Sequence, residues 1–384
     1  MSISDTQKDN VVQQETVDIP QKQNRFKRHC ARFWWIHLIV FIIIAVLVVV
    51  LVIFVAVPKI AQKKLDDAEL TIEGIQVSNA IEDSMTMSIN STIYADDSIH
   101  ATIEGFRGDM YLEDLEGHEP FASVDFPETT TASVQTVNIT QNTAITNPDA
   151  LATFNTWLIM NDTVRITVKG DTKVHVKGLS KAYGVTFKKT LEMKGMKNFE
   201  TIKVTYGTIS VLPDDNGDNF KGFVNIPNQS IFSIDLVSSA SRKPSAEAAL
   251  RLVAPSPSIP AAIICAKLTR CTSGLQGNAT MKTVFEDEEI GVTYLDNLNL
   301  VPGDNNITMH SSIDQLPILQ ANNEEPYCEG ADFPFYLTGI NVTRNGENLT
   351  YFGEGMSRTT QLTEIPIGDI LERDLNITAS CGSD

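Results

Sequence analysis

The chain has 384 residues, with 30 Lys and Arg set against 48 Asp and Glu, for a formal net charge of −18. That balance argues against nucleic acid as a partner, because phosphate contacts are made by cations. Hydrophobic residues make up 42% of the chain, enough for sizeable cores, but one block of them is concentrated in a single N-terminal stretch.

Residues 1–33 are rich in Gln, Asn and Asp and carry six Lys/Arg against four Asp/Glu. So few apolar groups cannot offset the entropy of ordering, so a disordered cytoplasmic tail is predicted. Residues 34–57 follow, 24 residues without a formal charge. As a helix they extend about 36 Å, enough to cross a bilayer core of about 30 Å with some tilt. A secretory leader has a shorter apolar region and a small-residue cleavage site; neither is present, so a retained signal-anchor is expected. His37 and the pair Trp34 and Trp35 lie at the end that belongs at the headgroups. Lys22, Arg25, Lys27, Arg28 and Arg32 precede the span, and Lys59, Lys63 and Lys64 follow it. The larger cationic cluster places the N-terminus in the cytoplasm, which makes a single-pass type II protein. Cys30, beside the span on that side, is a candidate for reversible palmitoylation or an inert thiol.

Everything beyond the span carries 24 Lys/Arg against 44 Asp/Glu, a net of −20. Nine Asn-x-Ser/Thr sequons lie there and none before it: Asn90, Asn138, Asn161, Asn228, Asn278, Asn306, Asn341, Asn348 and Asn376. All fall on one side, as expected of a glycoprotein of the secretory pathway. Cys265, Cys271, Cys328 and Cys381 share that side, so two disulfides are expected, with Cys265–Cys271 and Cys328–Cys381 preferred among three connectivities.

After a short helical link at 59–65 the pattern is one of strands. "ELTIEGIQVS", "IKVTYGTISVL" and "VRITVKGDTKVHVKG" alternate apolar and polar residues. In the last, Gly170-Asp171 is read as a hairpin turn; Asn345-Gly346 marks another. The fold class expected is mainly β: one N-terminal transmembrane helix and two antiparallel β-sandwich domains, at 58–199 and 200–384. A weak internal repeat, 85–105 against 220–238, supports the division. The second domain carries an insertion at about 238–280, with a short helix near 247–252 and a Pro-rich loop.

Three stretches, "AELTIEGIQVSNAIEDSMTMSINSTI", "VNIPNQSIFSIDL" and "YLDNLNLVPGDNNITMHSSID", resemble a group of fungal single-pass membrane proteins. The extracytoplasmic domain of that group is uncharacterised and distantly similar to the late-embryogenesis-abundant β-sandwich. Two turns carry the resemblance, Pro227-Asn228-Gln229-Ser230 and Leu300-Val301-Pro302-Gly303-Asp304-Asn305. It runs from about Leu65 to Asp314. It implies a glycoprotein of the vacuolar membrane or plasma membrane, and no catalytic residues to carry over.

No residues select a reaction. His100, His118, His175 and His310 have no i,i+4 partner for zinc. Asp214, Asn216 and Asp218 alternate as in a calcium loop, but Asn219 and Asn225 stand where Gly and Glu belong. No nucleophile elbow, Walker loop or dinucleotide fingerprint occurs, and Gly353 and Gly355 are assigned to a hairpin. The chain is therefore expected not to be an enzyme, with no cofactor or metal. Its expected role is a membrane-anchored structural or binding module, meeting a protein or glycan. The alternatives are a lipid-handling domain beside the bilayer and a lumenal sensor signalling through the tail.

Overall fold

The computed structural model describes residues 25–96, 98, 100–115, 117, 119–236 and 277–381. Two units are distinguished, Met1–Pro58 and Lys59–Asp384. The first is described through helix α1 (Arg25–Leu51) and a π-helical turn (Val52–Ala56). Its large apolar side chains from Trp34 to Val55 stand exposed around the whole circumference. A helix with no polar face has nothing to offer water. It contains the one stretch among the described residues long and apolar enough to cross a membrane.

In the second unit, helix α2 (Val57–Asp67) leads into β1 (Glu69–Ser78), β2 (Ser84–Tyr94), β3 (Ala101–Ile103), β4 (Phe106–Leu112), β5 (Pro120–Phe126), β6 (Thr129–Thr130) and β7 (Val134–Ala144). Helix α3 (Pro148–Met160) is followed by β8 (Thr163–Val176), β9 (Ala182–Lys194), β10 (Lys203–Ile209), β11 (Phe220–Asn228) and β12 (Phe232–Asp235). Beyond residue 276 come β13 (Gly277–Phe285), β14 (Glu288–Asp296), β15 (Asn299–Leu300) and β16 (Gly303–Ile313). Helix α4 (Leu316–Ala321), β17 (Phe333–Arg344), β18 (Glu347–Asn348), helix α5 (Thr350–Ser357), β19 (Thr360–Ile365) and helix α6 (Ile367–Leu375) complete the chain.

The expected mainly-β chain with an N-terminal apolar helix is what the structure shows. The strands form three sheets. The first has the order β15-β12-β1-β2-β7, and the second β13-β14-β16-β11-β10-β19-β17-β18. In the second, β13 also pairs with β17, register Gly277↔Arg344 to Val284↔Tyr336, so seven strands close into a barrel. Closure removes the exposed edges an open sheet leaves. The third sheet, β5-β4-β8-β3-β6 with β9 on β8, is built on the 14-residue β8.

The division expected near residue 199 does not separate the sheets. β12 and β15, from beyond it, complete the first sheet through the parallel pairing of β12 with β1. The repeated segments are each a strand, a short turn and a second strand that joins a different sheet. Of the expected insertion at about 238–280, residues 277–280 open β13, and the rest, with its short helix and with Cys265 and Cys271, lies outside the described residues. Cys328 and Cys381 are bonded, with Cα atoms 5.2 Å apart.

Helix α3 ties the sheets together. Asn147 caps it by accepting from Ala150 N, Pro148 occupies its first turn, and Asp149 adds a favourable charge there. Phe154 stacks on Phe121 of β5 at 4.4 Å and tilts against Phe232 of β12 at 5.6 Å. Asn155 Nδ2 donates to Tyr351 O in α5. Gly353 and Gly355 are therefore helical, not hairpin, residues. A Cβ at Gly355 would lie 2.7 Å from Asn155 Cβ, so glycine is what allows α5 to approach α3.

Gly170 is a second correction. It lies inside β8, where a Cβ would come within 2.3 Å of Arg107 O. It marks a close backbone approach rather than a turn. Asn345-Gly346, by contrast, is a hairpin turn as expected, with φ of 55° and 82° between the paired Arg344 and Glu347.

Helix α2 covers part of the open edge of β9. Gln62 Nε2 donates to Thr186 O and Gln62 Oε1 accepts from Thr186 N, at 2.8 and 2.9 Å. Lys189 Nζ donates to Asp66 O and Ala68 O, the carbonyls the helix end leaves unpaired. Burial pulls its ammonium below the usual lysine range, opposed by Asp66 and Asp67.

A candidate binding cleft on the barrel face

Four adjacent barrel strands, β14-β16-β11-β10, place two rows of side chains on the outer face. One row reads Tyr294, His310, Lys221 and Thr208; the next reads Asp296, Thr308, Phe223 and Tyr206. Alternation sends Ile307 and Met309 of β16, and Phe220 and Val224 of β11, into the barrel core. Tyr206 and Phe223, directly paired across β10 and β11, are 51% and 47% exposed. Tyr206, Asp218, Lys221, Phe223, Asp296 and His310 are among the residues lining an open cleft of about 380 Å³.

The polar wall is held in place. His310 stacks on Tyr294 with ring centres 4.9 Å apart. Its Nδ1 lies 2.8 Å from the buried Asp218 carboxylate, out of line for a hydrogen bond, and its Nε2 lies 3.5 Å from Asp296. The loop before β11 is braced by Asp214. Its Oδ1 accepts from Asn216 N and Asp218 N, and Oδ2 meets Lys221 Nζ. Lys221 first, then those two N–H groups, hold the Asp214 carboxyl down at about 2. On the other flank Arg373 covers Tyr206 at 5.3 Å and is itself paired with Asp374.

Asp214 and Asp218, whose spacing alternates as in a calcium loop but lacks its Gly and Glu, face Lys221 and His310. His100 and His175 do not reach the cleft; His175 pairs with Glu104 in the third sheet. His118 lies outside the described residues. Sequence reasoning missed Tyr206, Phe223 and Asp296. The usable signal was alternation: in β11 and β16 one apolar phase fills the core, so Phe223 in the opposite phase stands out.

The sequons separate by geometry. Asn90, Asn138, Asn161, Asn306, Asn348 and Asn376 are exposed, and Asn278 and Asn341 half-buried. Asn228 stands apart from the exposed sequons. It is 2% exposed; its Nδ2 donates to Phe232 O and its Oδ1 accepts from Ser230 N and Oγ. No sugar fits on that nitrogen in this fold. Asn341 Nδ2 is likewise engaged, donating to Asn348 Oδ1 at 2.9 Å.

A protein-family profile described as "Protein of unknown function (DUF3712)" matches residues 119–239, about a third of the chain. No curated protein matches. Among solved structures, a bacterial adhesin from Mobiluncus mulieris with intramolecular disulfide, isopeptide and ester cross-links is similar in two crystal forms, at 9% and 10% identity. The matches cover 76% and 78% of this chain and 82% and 96% of the adhesin chains, at a TM-score of 0.17 in both cases. The CupB6 tip adhesin from Pseudomonas aeruginosa is similar at 8% identity over 78% of this chain and 96% of its own, also at a TM-score of 0.17. At these scores the three likenesses carry no argument for fold or function.

Proposed function

We propose that this is a single-span membrane protein of the secretory pathway whose β-rich body, Lys59–Asp384, is an extracytoplasmic binding module for a neutral saccharide. The observation that supports it is the pair of exposed rings, Tyr206 and Phe223, on a rigid sheet beside fixed carboxylates. The negative face of an aromatic ring attracts the C–H faces of a pyranose. Asp296, Thr308 and Lys221 stand beside the rings to meet hydroxyl groups, and the −20 surface disfavours acidic sugars. The exposed sequons and the Cys328–Cys381 bond fit an oxidising, glycosylating compartment. Resemblance to type II fungal membrane glycoproteins fits the same reading, with the N-terminus cytoplasmic and the membrane vacuolar or plasma.

A lipid-handling role has one feature in its favour, an apolar cavity lined by Ile226, Met281, Leu295, Leu300 and Phe352. At about 50 Å³ it is far smaller than the roughly 300–1,000 Å³ of ligand pockets. The saccharide reading is therefore preferred. Two experiments test it. Protease protection with glycosidase treatment on intact membranes should leave a protected, sugar-bearing C-terminal fragment; an accessible, bare one overturns the topology. Detergent-solubilised full chain should bind neutral oligosaccharides on an array, and binding should vanish in Tyr206→Ala/Phe223→Ala. Unchanged binding in the variant, or none by the wild type, overturns the cleft assignment.

A further inference from the structure

We propose that the N-glycan on Asn306 lies in the barrel-face cleft, its first N-acetylglucosamine against Phe223, so that the chain's own sugar is the resident occupant an outside saccharide must displace. This rests on the reading of the cleft as a saccharide site, and names how that site is regulated.

The placement follows from register. Asn306 lies on the outer face of β16, opposite Asn225, and its sequon threonine, Thr308, is directly opposite Phe223 and lines the cleft. Residues two apart on one strand face are about 7 Å apart, and diagonal cross-strand neighbours about 7–8 Å. A sugar linked at Asn306 therefore reaches the Phe223 ring with its first residue. Asn306 Oδ1 accepts from Asn225 Nδ2 at 3.5 Å, while Nδ2, the atom that takes the sugar, has no hydrogen-bond partner among the described residues. That separates it from Asn228 and Asn341, whose nitrogens are engaged. The occupant also accounts for the rings: an acidic face that exposes Phe223 and Tyr206 to water gains from covering them, and a glycan is the nearest covalently tethered cover.

The test is peptide-resolved mass spectrometry of glycan release by a glycoamidase from native, full-length protein made in eukaryotic cells. Asn138, exposed on the first sheet, is the internal standard. Release at Asn306 should be about tenfold slower than at Asn138, corresponding to about 1.4 kcal/mol of protection. Phe223→Ala should bring the two rates within about twofold, and Phe223→Tyr should keep the difference. Tyr206→Ala, read the same way, should also speed release. Equal rates in the wild type, or a slow rate that Phe223→Ala leaves unchanged, overturn the proposal. A bare Asn306 beside glycosylated Asn90 and Asn138 overturns it while leaving the compartment intact; bare sequons throughout overturn both. Because release is read without any added saccharide, failure of the outside-ligand reading shows separately, on the array.

Discussion

Two sheet faces of this molecule look outward and are built by the same alternation, yet they differ in chemistry. On the first sheet, β2 and β7 present Thr86, Ser88, Asn90, Thr136, Asn138, Thr140 and Asn142, small polar groups in register, with Asn90 opposite Asn138. Ser88 and Thr140 hydrogen-bond across the strands at 3.0 Å. On the barrel, the equivalent layer carries Tyr206, Phe223, Tyr294, His310 and Asp296. Apart from the exposed Tyr94–Val134 pair at its end, the first face asks only to be wet. The second keeps large rings in water and braces carboxylates beside them, which stability alone does not require. That contrast, rather than any motif, is what singles out the barrel face.

The largest expected effect contrasts a buried sequon asparagine with an exposed one. Asn228→Ala leaves Phe232 O and the Ser230 groups without partners, and should cost about 2–3 kcal/mol in chemical unfolding. Asn138→Gln, compared after deglycosylation, should stay within about 0.5 kcal/mol. If the two cost the same, the sorting of sequons by burial fails.

Next is binding. Phe223→Ala should weaken saccharide affinity about tenfold, the equivalent of 1.4 kcal/mol, while costing no more than about 1 kcal/mol of stability through the lost pair with Tyr206. Thr140→Ala, on the polar face, should leave the affinity unchanged. Titration calorimetry on the full chain distinguishes them.

A smaller effect is expected with acid. The folded Asp214 carboxyl is held at about 2, below its ordinary value of 3.8. A depressed carboxylate contributes above its unfolded pKa, and that contribution fades as pH falls through the folded value. The 214–218 loop should therefore loosen between about pH 4 and 2, seen as faster amide exchange at Asn216 and Asp218. Lys221→Met should move that window upward; an unmoved window would deny Lys221 its role. Smallest of all, Thr140→Val should cost about 0.2–1 kcal/mol through the lost pair with Ser88.

Much of the fold was legible because local rules held locally. β1 covers the predicted "ELTIEGIQVS" residue for residue, and the Asn345-Gly346 turn is where its chemistry requires. The hairpin expected at Gly170 could have been rejected from the sequence itself. Val164, Ile166 and Val168 share their even phase with Val174 and Val176, so the alternation runs through unbroken, as one strand demands. Helix α3 also had its mark in Asn147-Pro148-Asp149, a cap, a first-turn proline and an acid. Barrel closure had none, since β13 and β17 meet from positions some sixty residues apart. The cleft was illegible for the same reason. His310 and Asp218 were weighed singly as metal ligands, while their neighbourhood exists only once β10, β11, β14 and β16 are in register.

Hydrogen exchange of the full-length protein, with and without a neutral oligosaccharide that binds it, tests the contrast between the two faces most directly. Protection should appear in 203–225 and 294–310, on the barrel face, and be absent from 84–94 and 134–144. Protection confined to the polar sheet, or none on the barrel face at saturating sugar, would contradict the assignment.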